Sequence, residues 1–176
     1  MLIQFLHSNF GNAGSLCGIN WNNMEYVETR QIKIERLAGD GNIEDLKKIF
    51  ESGHTQSEID TALQNAIAYS QIRTAKYLLS LGADISSYDY NGAYYAAHNN
   101  ELEGLKFAIE NGVDINVSNG MLLNTGIETA TNTKSVELVE WLLQHGANLK
   151  LLTNQSLRLV ADFGTTELKT LIKDTT

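Results

Sequence analysis

The chain has 176 residues, 43% of them apolar, enough to bury the core of one domain without calling for a second. Its 13 Lys and Arg against 21 Asp and Glu leave a formal charge of −8. That removes the phosphate-neutralising term nucleic-acid binding depends on and matches a partner with a basic surface better. A single cysteine, Cys17, excludes an intramolecular disulfide, and no run approaches the ~20 apolar residues that span a bilayer.

In chain order, Met1–Leu6 is apolar, but no Lys or Arg precedes it and His7, Ser8 and Asn9 cut it short. It does not read as a secretory signal, and with one cysteine the chain is expected in the cytoplasm. Residues 1–22 form a cap or arm outside the repetition that follows, with Leu2, Ile3, Phe5 and Leu6 predicted to cover the end of the first unit. The alternative is an arm that touches a partner. Residues 23–176 divide into units at about 23–56, 57–86, 87–116, 117–150 and 151–176. In the first, Asn22 or Asn23 is the candidate cap of a helix carrying Met24, Val27, Ile34 and Leu37. The second opens at Ser57, its candidate cap, with Ile59, Leu63, Ala66 and Ile67 at helical spacing and Ile72, Ala75, Leu78 and Leu79 on the partner helix. The third sets Ala96 and Ala97 against Leu102, Leu105 and Ile109. The fourth sets Ile127 and Ala130 against Val136, Val139, Leu142 and Leu143, with Ser135 as candidate cap. The fifth sets Leu157, Val160 and Ala161 against Leu168, Leu171 and Ile172. Small residues at 66, 96, 97, 130 and 161 are expected to let paired helices approach closely.

One phrase recurs: Tyr77-Leu78-Leu79-Ser80-Leu81-Gly82-Ala83-Asp84-Ile85, then Phe107-Ala108-Ile109-Glu110-Asn111-Gly112-Val113-Asp114-Ile115, then Trp141-Leu142-Leu143-Gln144-His145-Gly146-Ala147-Asn148-Leu149. A weaker copy ends at Gly53, and Leu168–Ile172 begins another. The glycines at 53, 82, 112 and 146 stand 29, 30 and 34 residues apart, the range of stacked solenoids. The phrase resembles the close of the ankyrin repeat, over roughly residues 36–176. The resemblance implies an all-α ankyrin-like solenoid of about five stacked helix-turn-helix repeats. The family's opening phrase, Thr-Pro-Leu-His, is missing, and Gly92-Ala93-Tyr94-Tyr95-Ala96-Ala97 stands in its place. Turns rather than long β-fingers are therefore expected between units.

No constellation for chemistry emerges. Gly11–Gly18 lacks the Gly-Lys-Ser/Thr ending of a phosphate loop. Cys17 has no motif linking it to His7, His54, His98 or His145, and no metal-ligand spacing occurs, so neither cofactor nor metal is expected. Glu44, Asp45, Glu101, Glu103, Glu137 and Glu167 fall at starts of second helices, where the helix dipole accounts for them.

The resemblance implies a non-enzymatic module that binds a protein partner through a concave face built of first helices and loop tips. The positions pointing there are Gly39 and Asp40, Ala68 and Tyr69, His98 and Asn99, Asn132 and Thr133, Asp162 and Phe163. Loop tips add Tyr88, Asp89, Tyr90 and Asn91, then Ser118 and Asn119; Tyr95 joins them as a tyrosine of the same cluster. Tyr94 is read either way, as part of that cluster or as filler of the space left by the missing phrase. More specific readings are an immunity or inhibitor protein neutralising a basic toxin such as a nuclease, or a bacterial or viral effector gripping a host protein. An enzyme with a cryptic site in residues 1–35 is the competing class. No nucleic acid and no membrane is expected as partner.

Overall fold

The computed structural model describes residues 28–173. They form ten helices in five pairs: α1 (Arg30–Gly39) and α2 (Ile43–Phe50), α3 (Gln56–Ala68) and α4 (Ile72–Ser80), α5 (Ser87–His98) and α6 (Leu102–Glu110), α7 (Val117–Thr133) and α8 (Glu137–Gln144), α9 (Asn154–Phe163) and α10 (Thr166–Lys173). A short 3₁₀ turn, Leu149–Leu151, precedes α9, and no strand occurs among the described residues. The first helices α1, α3, α5, α7 and α9 pack on one another in series. This is an all-α ankyrin-like solenoid.

Each of the first four pairs is punctuated twice by left-handed backbone. The second helix ends at a glycine with φ of 96°, 90°, 104° and 101° at Gly53, Gly82, Gly112 and Gly146. Those angles lie beyond the left-handed well open to L-residues, so glycine is required there. Between the paired helices stands a second stop, at Gly41 (73°), Ser70 (55°), Asn100 (62°) and Lys134 (65°). Here φ falls inside that well, and non-glycine residues are tolerated. At three of these turns the chain closes with a bond back to the first helix: Asn42 N–H to Leu37 O, Gln71 N–H to Ala66 O and Glu101 N–H to Ala96 O, at 2.7–2.9 Å.

From each inner stop to the next glycine is twelve residues in all four pairs, so the uneven period arises elsewhere. The fourth unit's four extra residues lie between Gly120 and Lys134, inside α7. Four residues are about one helical turn, so the insertion lengthens α7 without rotating its buried face. Leu122, Leu123, Ile127 and Ala130 stay in the core.

That core runs the length of the stack, from Ile34 and Leu37 through Leu63, Leu78, Leu105 and Leu142 to Leu168. Ala66, Ala96, Ala97 and Ala130 are buried in it. In the last unit the expectation fails: Leu157 is 45% exposed and Ala161 is exposed too, while Ser156 and Val160 face inward. By register from the capping threonines, Leu157 and Ala161 match Ile59 and Leu63, which the next pair covers in the interior; no described helix follows α10.

Two caps also differ from expectation. Thr55, not Ser57, caps α3, because only from Thr55 does Glu58 fall at the third helical position; the Thr55 hydroxyl accepts from Glu58 N–H and the Glu58 carboxylate accepts from Thr55 N–H. Ser135 caps nothing: α8 starts after Val136, and the Ser135 N–H donates to Thr133 Oγ1. The candidate caps Asn22 and Asn23, like Cys17 and the segment 1–22, lie outside the described residues, whereas Thr29 caps the helix that buries Ile34 and Leu37.

Candidate protein-binding groove

The connections that replace the missing phrase are held by side chains reaching from one unit to the next. Asp60 Oδ1 accepts from Asp84 N–H at 2.7 Å. Buried Gln64 does more: its oxygen accepts from the buried Gly92 N–H, and its nitrogen donates to Ser87 Oγ (2.8 Å) and Asp84 O (3.3 Å). Further along, Asn116 accepts from Asn148 N–H (2.8 Å), and Asn124 accepts from Thr153 N–H (2.9 Å) while donating to Leu151 O (2.9 Å). Helix ends are tied the same way, Asn99 donating to Ala68 O and Thr129 to His98 O. Every buried side-chain polar atom among the described residues has a partner.

Within this bracing, Tyr88, Asp89 and Tyr90 all adopt left-handed angles (φ 53°, 53° and 62°), which costs roughly 1–2 kcal/mol per residue. The run turns the chain so that Tyr88 leans back on α3, its hydroxyl 3.0 Å from Ser57 Oγ and 3.2 Å from Thr61 Oγ1. Ser118, Asn119 and Gly120 repeat the run in the first turn of α7.

A groove of about 440 Å³ opens across α1, α3 and α5. Its floor is made of stripes at four-residue spacing: Gln31 and Glu35 on α1; Ser57, Thr61 and Asn65 on α3, continued by Tyr69; Asn91 and Tyr95 on α5, continued by Asn99. Gln64, Ala68 and Tyr88 complete it. The Tyr69 ring rests where a side chain at Gly39 would stand, 3.1 Å from the position of its Cβ. Glu35 is the one carboxylate in the lining and accepts from Gln31 Nε2 at 2.9 Å. Just outside, Arg30 donates to Glu58 at 2.6 Å and holds that carboxyl below its usual range, with the Thr55 N–H adding to the effect.

Of the positions expected at the binding face, Ala68, Tyr69, Tyr88, Asn91, Tyr95 and Asn99 come together in this groove. His98 is exposed beside it, stacked on Tyr94 at 6.0 Å and edge-on to Tyr95. Tyr90 differs: it is half-buried and packs on the core, because the left-handed run turns it opposite to Tyr88. Asp89 is exposed at the tip. Asn132 and Thr133 are exposed at the end of α7, the Thr133 hydroxyl donating to Thr129 O, and Asp162 and Phe163 (62% exposed) end α9; none of these four lines the groove. Attention to helix ends alone misses Gln31, Glu35, Ser57, Thr61, Gln64 and Asn65. The available signal was polar residues four apart, opposite the apolar Ile59, Leu63 and Ile67.

The wall holds little acid. Lys47–Glu44, Lys48–Asp45 and Lys106–Glu103 pair on second helices at 2.7–3.2 Å, whereas α3, α5 and α7 contain no Lys or Arg at all. Among the described residues, no group of three His, Cys, Asp or Glu is placed to hold a metal ion, and no helix is long and apolar enough to cross a membrane.

Residues 35–119 match the family model for ankyrin repeats (3 copies). The chain is 29% identical over 94 residues to BRCA1-associated RING domain protein 1 of Caenorhabditis elegans, covering 52% of this chain and 13% of that protein. It is 28% identical over 101 residues to palmitoyltransferase AKR1 of Lachancea kluyveri, covering 54% of this chain and 14% of that one. The similarity thus spans a small part of either relative.

Proposed function

Given that residues 35–119 belong to the ankyrin-repeat family, a protein–protein interaction module, we propose that this chain is a non-catalytic binding protein that holds a protein partner along the groove over α1, α3 and α5. The observation that carries the reading is the joining of three polar and tyrosine stripes into one open trough. Tyrosine brings large contact area with a polar tip, and carboxamides offer both donor and acceptor to a partner's main chain. The palmitoyltransferase named among the relatives matches over 14% of its length, and its activity is not carried over.

The more specific role we favour is occlusion of a basic protein, as an inhibitor or immunity protein would do. The charge of −8 speeds encounter with such a partner, and α3, α5 and α7, which carry no Lys or Arg, do not repel it. Cytoplasmic residence belongs to the same proposal.

The test is capture from the native cell with the wild-type chain and with Tyr95→Ala, after matching their thermal stability. A partner held through the groove is retained by the first and lost by the second. A partner retained equally by both, and lost on substitution of Trp141 on α8, places binding on the other face and sinks the reading.

A further inference from the structure

We propose that the groove seats one basic side chain of its partner, a lysine or arginine, against Glu35, in the trough that Tyr69, Tyr88 and Tyr95 also line. The inference rests on the groove reading above and adds the chemistry of the occupant.

Three observations converge. The first is an excess of acceptors over cations. No Lys or Arg lines the groove, and α3, α5 and α7 carry none. The cations of α1 do not fill the gap: Arg30 is held by Glu58 and Gly53 O, Arg36 by Glu28 and Asp40, and exposed Lys33 is not in the lining. The second is Glu35 itself. The residue is half-buried, its carboxylate takes one hydrogen bond from the neutral Gln31 carboxamide, and no ion pair to it occurs among the described residues. A partly desolvated carboxylate is screened less by salt than an exposed one, so an incoming cation gains more there. The third is the lining. Three tyrosines share the trough with the single acid, and aromatic rings attract cations electrostatically. An acidic or phosphorylated segment would meet Glu35 with no compensating positive charge.

The experiment pans a displayed library of random dodecapeptides on the full chain and keeps peptides that the wild type retains and Tyr95→Ala does not. Lys or Arg is expected to be enriched at one position of those peptides. A synthetic peptide from the set should lose about 10-fold in affinity when that residue becomes Ala, and the same about 10-fold against Glu35→Gln. The alanine peptide should bind wild type and Glu35→Gln alike. Tyr95-dependent peptides without basic enrichment, or a basic residue whose effect is undiminished in Glu35→Gln, would overturn the seat and leave the groove standing. Recovery of no Tyr95-dependent peptide would overturn both.

Discussion

Replacing Gln64 with Met tests whether side-chain bridges hold this stack in place of the missing Thr-Pro-Leu-His phrase. The two side chains are close in volume, so the substitution removes hydrogen bonding with little change in packing. It strands the buried Gly92 N–H, which costs about 1–3 kcal/mol. The donor bonds to Ser87 and Asp84 are lost as well, but those groups lie near solvent and recover part of their value from water, leaving about 1 kcal/mol between them. The expected loss is therefore about 2–4 kcal/mol, or a fall of ~1–2 M in the urea midpoint for a chain of this size. Hydrogen exchange at the Gly92 amide should accelerate with it, since that proton loses its acceptor. A loss under about 0.5 kcal/mol with unchanged Gly92 protection would refute the bracing argument.

Leu142→Ala empties a fully buried site between α7 and α8 and should cost about 2–5 kcal/mol in thermal or urea unfolding. Gly104→Ala should destabilise although alanine is the better helix former by ~1 kcal/mol: its Cβ would stand 2.1 Å from Ile67 O, and a net loss of about 1–2 kcal/mol is expected by the same measurement. Glu58 titrates below its ordinary 4.5 because Arg30 and the Thr55 N–H favour its charged form. A depressed folded pKa stabilises fully above the unfolded value and less as pH falls through the folded one, so Glu58→Gln should flatten the acid limb of stability below about pH 4.5.

Much of the stack was legible because its signals are local. A glycine at φ near 100° cannot be replaced by another residue without strain, so Gly53, Gly82, Gly112 and Gly146 announce themselves at regular spacing. The inner stops were silent for the opposite reason: φ of 55–73° admits Ser, Asn and Lys as well as Gly, so geometry repeats while residue type does not. Periodicity overstates the burial of Leu157, because it tells which face is apolar and not whether a neighbour covers it. The groove was half legible. Helix ends point to Tyr69 and Asn99 and the tyrosine cluster to Tyr95, but Tyr88 and Tyr90, two apart in sequence, read as one surface. Three consecutive left-handed residues send one into the groove and the other to the core, and nothing in Tyr88-Asp89-Tyr90 as residue types announces that run.

Gln64 shows why the brace and the groove are not independent. The carboxamide that satisfies Gly92 and Ser87 also lines the trough, and Tyr88, placed by the strained run beside Ser87, reaches back to the same helix. Glycine at 88 or 90 would relieve left-handed strain of ~1–2 kcal/mol, yet would remove either a groove ring or a core ring. The tension is confined to the junction of the second and third units. At the next junction Gly120 relaxes part of the equivalent run and no tyrosine is committed; Asn124 makes its bridge one junction further on, to the fifth unit. The position that Gly120 eases corresponds to Tyr90, and a side chain there would collide with Leu151, so glycine at the second junction serves the packing of the stack.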